Sequence, residues 1–216
     1  MHGHDRIYVN YKDVKNLIKE GDLLIYRGKA WYSFFIKRAT RGEYSHIGLA
    51  SWHNGTSDKP ASLETIEFHG YRGGGVVIQM NNLFPQFSGQ IDVYRPNNNW
   101  ENIYFNKQND TCVSKQYTFD GLSVTNTMRG LTGLPYGWRR IWWFIRSYLL
   151  LGRFFYNIEN LTSDEQKGII YPVCSTAIAY SFASNGYDLI HERADEWTQP
   201  SDIAQSSTTN YLFTLL

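Results

Sequence analysis

A chain of 216 residues is long enough to bury one sizeable core, and 42% hydrophobic with 19% charged residues is the balance of an ordinary globular domain. Twenty-one basic against 20 acidic residues leave a formal charge of +1, which supplies no long-range attraction to nucleic acid and disfavours that partner. Two cysteines, Cys112 and Cys174, make neither a disulfide framework nor a four-cysteine zinc centre, so no metal or other cofactor is expected.

Residues 1–10 are polar and lack the apolar run of a signal peptide. The segment 11–20 reads as a short amphipathic helix with Val14, Leu17 and Ile18 on one side, ended by Gly21. Strand signals follow at 22–26, 44–52, 62–69, 76–78 and 91–94, punctuated by turns such as Asn54-Gly55 and Gly73-Gly74-Gly75. A helical spacing at 31–40 interrupts them. Strands joined by hairpin-like turns predict an antiparallel sheet or small barrel rather than a doubly wound parallel sheet.

The second half changes character. Residues 97–110 are polar and Asn-rich and read as a loop, 115–131 as a helix, and 138–155 as a strongly aromatic helix. Residues 174–185 carry a clean helix signal of small and apolar side chains, with Gly186 just beyond its end. A last turn is expected at 202–205. The whole chain, 1–216, reads as one α+β domain with a helical aromatic insertion around 139–170. The basic and aromatic run within 138–155 offers a membrane-interface surface; a cap or a core-packed helix is the favoured reading. It is broken by Arg146 and Arg153 and too short to span a bilayer, so a cytoplasmic or virion-associated location is expected over classical secretion.

Chemistry concentrates at Cys174, which opens the helix after Pro172 and Val173. A helix N-terminus places partial positive charge and free N–H groups beside a sulfur, favouring thiolate and offering donors to an oxyanion. Ser175 is expected to make a local hydrogen bond rather than act as a second nucleophile. A cysteine nucleophile needs a base, and His46 at the start of a predicted strand is the best placed histidine. The bland alternatives are a buried packing cysteine and a structural strand histidine. Cys112 has no matching motif beside it and reads as structural, while His53 and His191 sit in turn or loop contexts.

Five patches in order, GDLLIYR (21–27), YSHIGL (44–49), GLPYGW (133–138), Cys174-Ser175 after Tyr171, and QPSDIA (199–204), resemble the circularly permuted branch of the NlpC-type papain-like superfamily, related to lecithin–retinol acyltransferase. In that branch the histidine strand precedes the cysteine helix. The resemblance implies a permuted papain-like fold, with a sheet or small barrel packed against the Cys-bearing helix. It further implies hydrolysis of an amide or ester through an acyl-enzyme. It places a third polar residue on the strand after the histidine strand, where Glu67 fits best and His69 and Glu64 are the alternatives. Strand alternation sets Glu67 and His69 on one face and Glu64 on the other. Tyr136 and Tyr44 are the residues it places along the substrate cleft. The chain departs from the pattern in carrying Thr176-Ala177 where relatives commonly place an acidic residue.

The expected function is therefore a cysteine peptidase or amidase acting on a peptide or on peptidoglycan, with Cys174 as nucleophile, His46 as base and Glu67 orienting the ring. Two rivals stand beside it: a lipid-directed acyl hydrolase or acyltransferase with the same dyad, and an idle structural or virion-associated module of the fold. The oligomeric state is not encoded in these features.

Overall fold

The computed structural model describes residues 5–29, 37, 42–53, 61–106, 111–138, 172–190 and 198–216, the side chains of 101–115 excepted. In chain order the elements are β1 (Tyr8–Val9), α1 (Tyr11–Val14), β2 (Leu23–Gly28), β3 (His46–His53), β4 (Ser62–His69), β5 (Gly74–Gln79) and α2 (Met80–Leu83). They continue with β6 (Gly89–Pro96), β7 (Asn99–Asn106), β8 (Thr111–Thr118), α3 (Gly121–Gly130), α4 (Cys174–Ala183), α5 (Pro200–Gln205) and β9 (Thr209–Leu215).

Seven strands form one sheet in the order β1-β9-β6-β2-β3-β4-β5, antiparallel throughout except for the short β1–β9 pair. The architecture is α+β. Among the described residues the sheet is open and does not close on itself, so the sheet expected from the sequence forms and the small barrel does not. Both faces are covered, which is why β2 is a nearly continuous buried run rather than an alternating one. On one face Leu23, Ile25, Ile47, Leu49, Ile66 and Phe68 pack with Val124 and Met128 of α3 and Ala177, Ile178 and Phe182 of α4. On the other, Leu24, Ala50, Leu63, Ile91 and Val93 pack with Tyr11 and Val14 of α1, Ile18, and Met80 and Leu83 of α2.

The helix α4 is buried almost all round, and its small residues allow that close approach to the sheet. It ends where Gly186 takes a φ of 83° and Tyr187 N–H bonds back to the Phe182 carbonyl, a left-handed cap that glycine adopts without Cβ strain. Asp120 starts α3 by accepting from the Ser123 backbone N–H at 3.1 Å.

Three stretches differ from the sequence reading. Residues 97–110 are not a loop: β7 and β8 pair as an antiparallel hairpin, Asn99 opposite Thr118 through Asn106 opposite Thr111. The helix expected over 115–131 begins only at Gly121, because β-branched and aromatic residues in 111–118 favour the strand and Asp120 then caps the helix. The helix expected over 11–20 shortens to α1 and a 3-10 turn, Lys15–Leu17. The strands β1 and β9 had no distinct sequence signal. All but Lys37 of the helix expected at 31–40, all but the first residue of the aromatic helix at 138–155, and the insertion at 139–170 lie outside the described residues; Lys37 itself is helical. No helix among the described residues is long and apolar enough to cross a membrane.

Candidate active site

His46 is the first residue of β3 and pairs with Tyr26 of β2. Two residues further along, Gly48 lies opposite Glu67 of β4. A Cβ on Gly48 would come within 2.7 Å of the Glu67 Cγ and 2.5 Å of the Thr65 Oγ1. The missing side chain is therefore what lets Glu67 lie across β3 and reach the histidine. Its Oε2 meets His46 Nε2 at 2.9 Å. The same oxygen is bonded by His69 Nε2, from the end of β4, and the other carboxylate oxygen accepts from the Tyr26 hydroxyl. Glu67 is fully buried beneath these partners.

Burial alone would push the Glu67 carboxyl upward, but hydrogen bonds and charge from His46 and His69 outweigh it and hold the group well below the usual carboxylate range. Glu67 is thus an anion with two imidazoles against it. Burial would likewise push His46 down. The neighbouring Cys174 first, and then the Glu67 carboxylate, overcome that and raise the imidazole to about 10. Nε2 is the ring nitrogen that meets Glu67. His69 goes the other way: burial and the neighbouring His46 charge lower it, offset in part by Glu67.

Cys174 is the first residue of α4 and a free thiol, 8% exposed. The chain before it is held by Gly137 N–H bonding to the Pro172 carbonyl at 3.2 Å, and Thr176 Oγ1 accepts from the Val173 N–H at 3.0 Å. Ser175 turns away and donates to the Thr198 carbonyl, a distant rather than a local partner. The 133–138 segment reaches this corner by clamping onto the turn between β4 and β5. Gly75 N–H bonds the Leu134 carbonyl at 3.1 Å, and Gly133 N–H the Gly75 carbonyl at 3.0 Å. At Gly74, φ is 147° and a Cβ would lie 1.9 Å from the Leu134 oxygen, so only glycine admits the clamp. It sets Tyr136 near Cys174, and burial first, then the Cys174 charge, keep that phenol well above its ordinary value.

The structure brings Cys174, His46, Glu67, His69 and Tyr136 together; Tyr44 shares the buried cluster of Cys174 but turns its hydroxyl elsewhere, and Glu64 lies apart. Tyr44 is buried, and its hydroxyl donates to Asp92 Oδ2 at 2.8 Å with Tyr94 at 3.1 Å, so its O–H is engaged inside the protein and not offered to a cleft. Glu64 pairs with Arg129 at 3.2 Å on the far side of β4, as strand alternation requires. Cys112 and His191 lie among the side chains not described, and His53 is exposed at the end of β3. Tyr26 and Gly48 were not singled out in the sequence. Both stand inside the GDLLIYR and YSHIGL patches, and only strand register shows what they do.

No protein-family model matches the chain, and no curated protein matches it. The fold is similar to the crystal structure of the metalloprotein YiiX (DUF1105) from Escherichia coli O157:H7, with a TM-score of 0.54 over 90% of this chain and 96% of that one, at 11% identity.

Proposed function

We propose that this protein is a cysteine hydrolase of the circularly permuted papain-like type, cleaving an amide bond in peptide or peptidoglycan through an acyl-enzyme. One observation carries the reading: Cys174 at the start of α4 lies close enough to His46 to raise its imidazole, and the His46 Nε2 is held by a buried carboxylate at 2.9 Å. A nucleophile, a base and a group that orients the base are the minimum of this chemistry.

In the proposed reaction the Cys174 thiolate adds to the scissile carbonyl carbon, and the first N–H groups of α4 face the developing oxyanion. Collapse of that intermediate breaks the C–N bond as the His46 imidazolium delivers its Nδ1 proton to the leaving amine. His46, now neutral, takes a proton from water, and the hydroxide equivalent releases the acyl group and regenerates the thiolate–imidazolium pair. Glu67 fixes the ring and stabilises its charged form, and Tyr26 fixes Glu67.

The test is digestion of purified peptidoglycan, followed by the appearance of new amino groups. Wild-type protein should release them, and Cys174→Ala should fall to background while keeping its circular dichroism spectrum. Undiminished digestion by the variant would remove Cys174 from the mechanism.

A further inference from the structure

We propose that His46, Glu67 and His69 also form a site for one divalent ion of the zinc class, and that its occupancy takes His46 out of service for Cys174. The second clause rests on the hydrolase reading; the first does not. One ligand atom from each of the three side chains can be chosen so that all lie within 4.8 Å of one another. Two imidazole nitrogens and a carboxylate oxygen are the donor set of a borderline transition metal with an open position for water. Calcium and magnesium call for oxygen ligands and would leave both nitrogens unused.

The surroundings suit a bound ion. Glu67 is fully buried and anchored from behind by the Tyr26 hydroxyl, the outer contact that orients a ligating carboxylate. The two histidine side chains keep 16% and 11% exposure, so an ion has an entrance on their side. The rings stand 4.4 Å apart at 33° with both Nε2 atoms against one carboxylate oxygen, where a single cation can satisfy all three groups at once.

Binding at Nε2 expels the proton that His46 directs at Glu67, leaving a neutral ring whose single proton sits on Nδ1. Such a ring can neither accept the Cys174 proton nor, short of becoming imidazolate, give one to a leaving amine. Metal binding and hydrolysis therefore compete for one histidine.

The test is titration of the full chain, stripped with EDTA and dialysed, with Co²⁺ as a spectroscopic stand-in for zinc. One ion per chain with visible ligand-field absorption is the expected result. His69→Ala should weaken Co²⁺ binding by more than about a hundredfold, beyond what losing an outer contact costs. The other histidines remain in both proteins, so their weak binding cancels. Cys174→Ala should keep the absorption. Absence of the band, or a His69→Ala protein that folds and binds equally well, overturns the proposal. So does a sulfur-to-cobalt charge-transfer band that vanishes with binding in Cys174→Ala, since the ion would then sit on the Cys174–His46 pair. If the hydrolase reading alone is wrong, the stripped protein leaves peptidoglycan intact while still binding cobalt through His69.

Discussion

Two carboxylates lie fully buried in the same sheet, Glu67 on β4 and Asp92 on β6, and they do different things. Asp92 is bonded by the Arg27 guanidinium at 2.8 Å, by the Thr214 hydroxyl at 2.6 Å and by Tyr44. Its partners are two permanent cations, Arg27 and, at 3.6 Å, Arg6, and hydroxyls, which hold protons throughout the physiological range. Glu67 is bonded by two imidazoles and one phenol, and one of those imidazoles, His46, is raised by the neighbouring Cys174. Burial is alike at the two sites. On the proposed reading, what separates a strut from a reactive centre is whether the partners can exchange protons and whether a cysteine lies beside them.

Isosteric amides at the two positions should split this comparison most widely. Glu67→Gln keeps the volume but removes the charge that supports the His46 cation, so kcat should fall by roughly 10²- to 10⁴-fold, the span of general acid–base catalysis, with KM little changed. Asp92→Asn should instead cost stability, on the order of 3–5 kcal/mol, because it leaves the mostly buried Arg27 without a counter-charge. Activity per folded molecule should stay near wild type. Urea melts and steady-state kinetics on both variants check this, and an Asp92→Asn protein that is stable but inactive would erase the distinction.

The titration of His46 sharpens the same contrast. Its folded value of about 10 lies above the ordinary 6.5, so the fold favours the imidazolium. That stabilisation is fully present below about 6.5 and is lost as pH rises through about 10. Among the influences that raise it, Cys174 comes first, so Cys174→Ala should bring the His46 titration, followed by NMR in EDTA, to a lower pH. A value still near 10 would mean that the sulfur is not what the ring is paired with.

Gly48→Ala probes the packing that lets Glu67 cross β3. Its Cβ would land on the Glu67 Cγ and the Thr65 Oγ1, an overpacking worth about 1–3 kcal/mol, and the displaced carboxylate should cost activity as well. Thermal unfolding and turnover measured together decide it; a variant neutral in both would show that the carboxylate has slack. Gly48 also marks the limit of what the chain makes legible. The strands flanking His46 and Glu67, the start of α4 at Cys174 and its end before Gly186 follow from local pattern, because burial period, turn residues and caps act within a few positions. That Gly48 faces Glu67, and that Tyr44 turns inward to Asp92 on β6, are facts of register between strands. Register depends on contacts between distant segments and leaves no local mark. The β7–β8 hairpin was missed for another reason: its asparagines and charges read as loop, and strand propensity yields to pairing.

The smallest effect belongs to a third carboxylate, which is exposed. Asp120 caps α3 through the Ser123 N–H and hydroxyl, at 3.1 and 2.6 Å, and those two bonds lower its carboxyl below the ordinary value. A lowered carboxyl contributes stability above its ordinary value and loses it as pH falls through the folded one, so the cap should matter at neutral pH and fade in acid. Asp120→Ala should cost about 1 kcal/mol at pH 7, less than Asp92→Asn, and the gap to wild type should narrow below about pH 4. Activity should change little, since Asp120 caps the end of α3 opposite the one that leads into the 131–138 segment. Chemical denaturation at two pH values measures the difference. A cost that persists undiminished in acid would mean that the side chain holds α3 by something other than its charge.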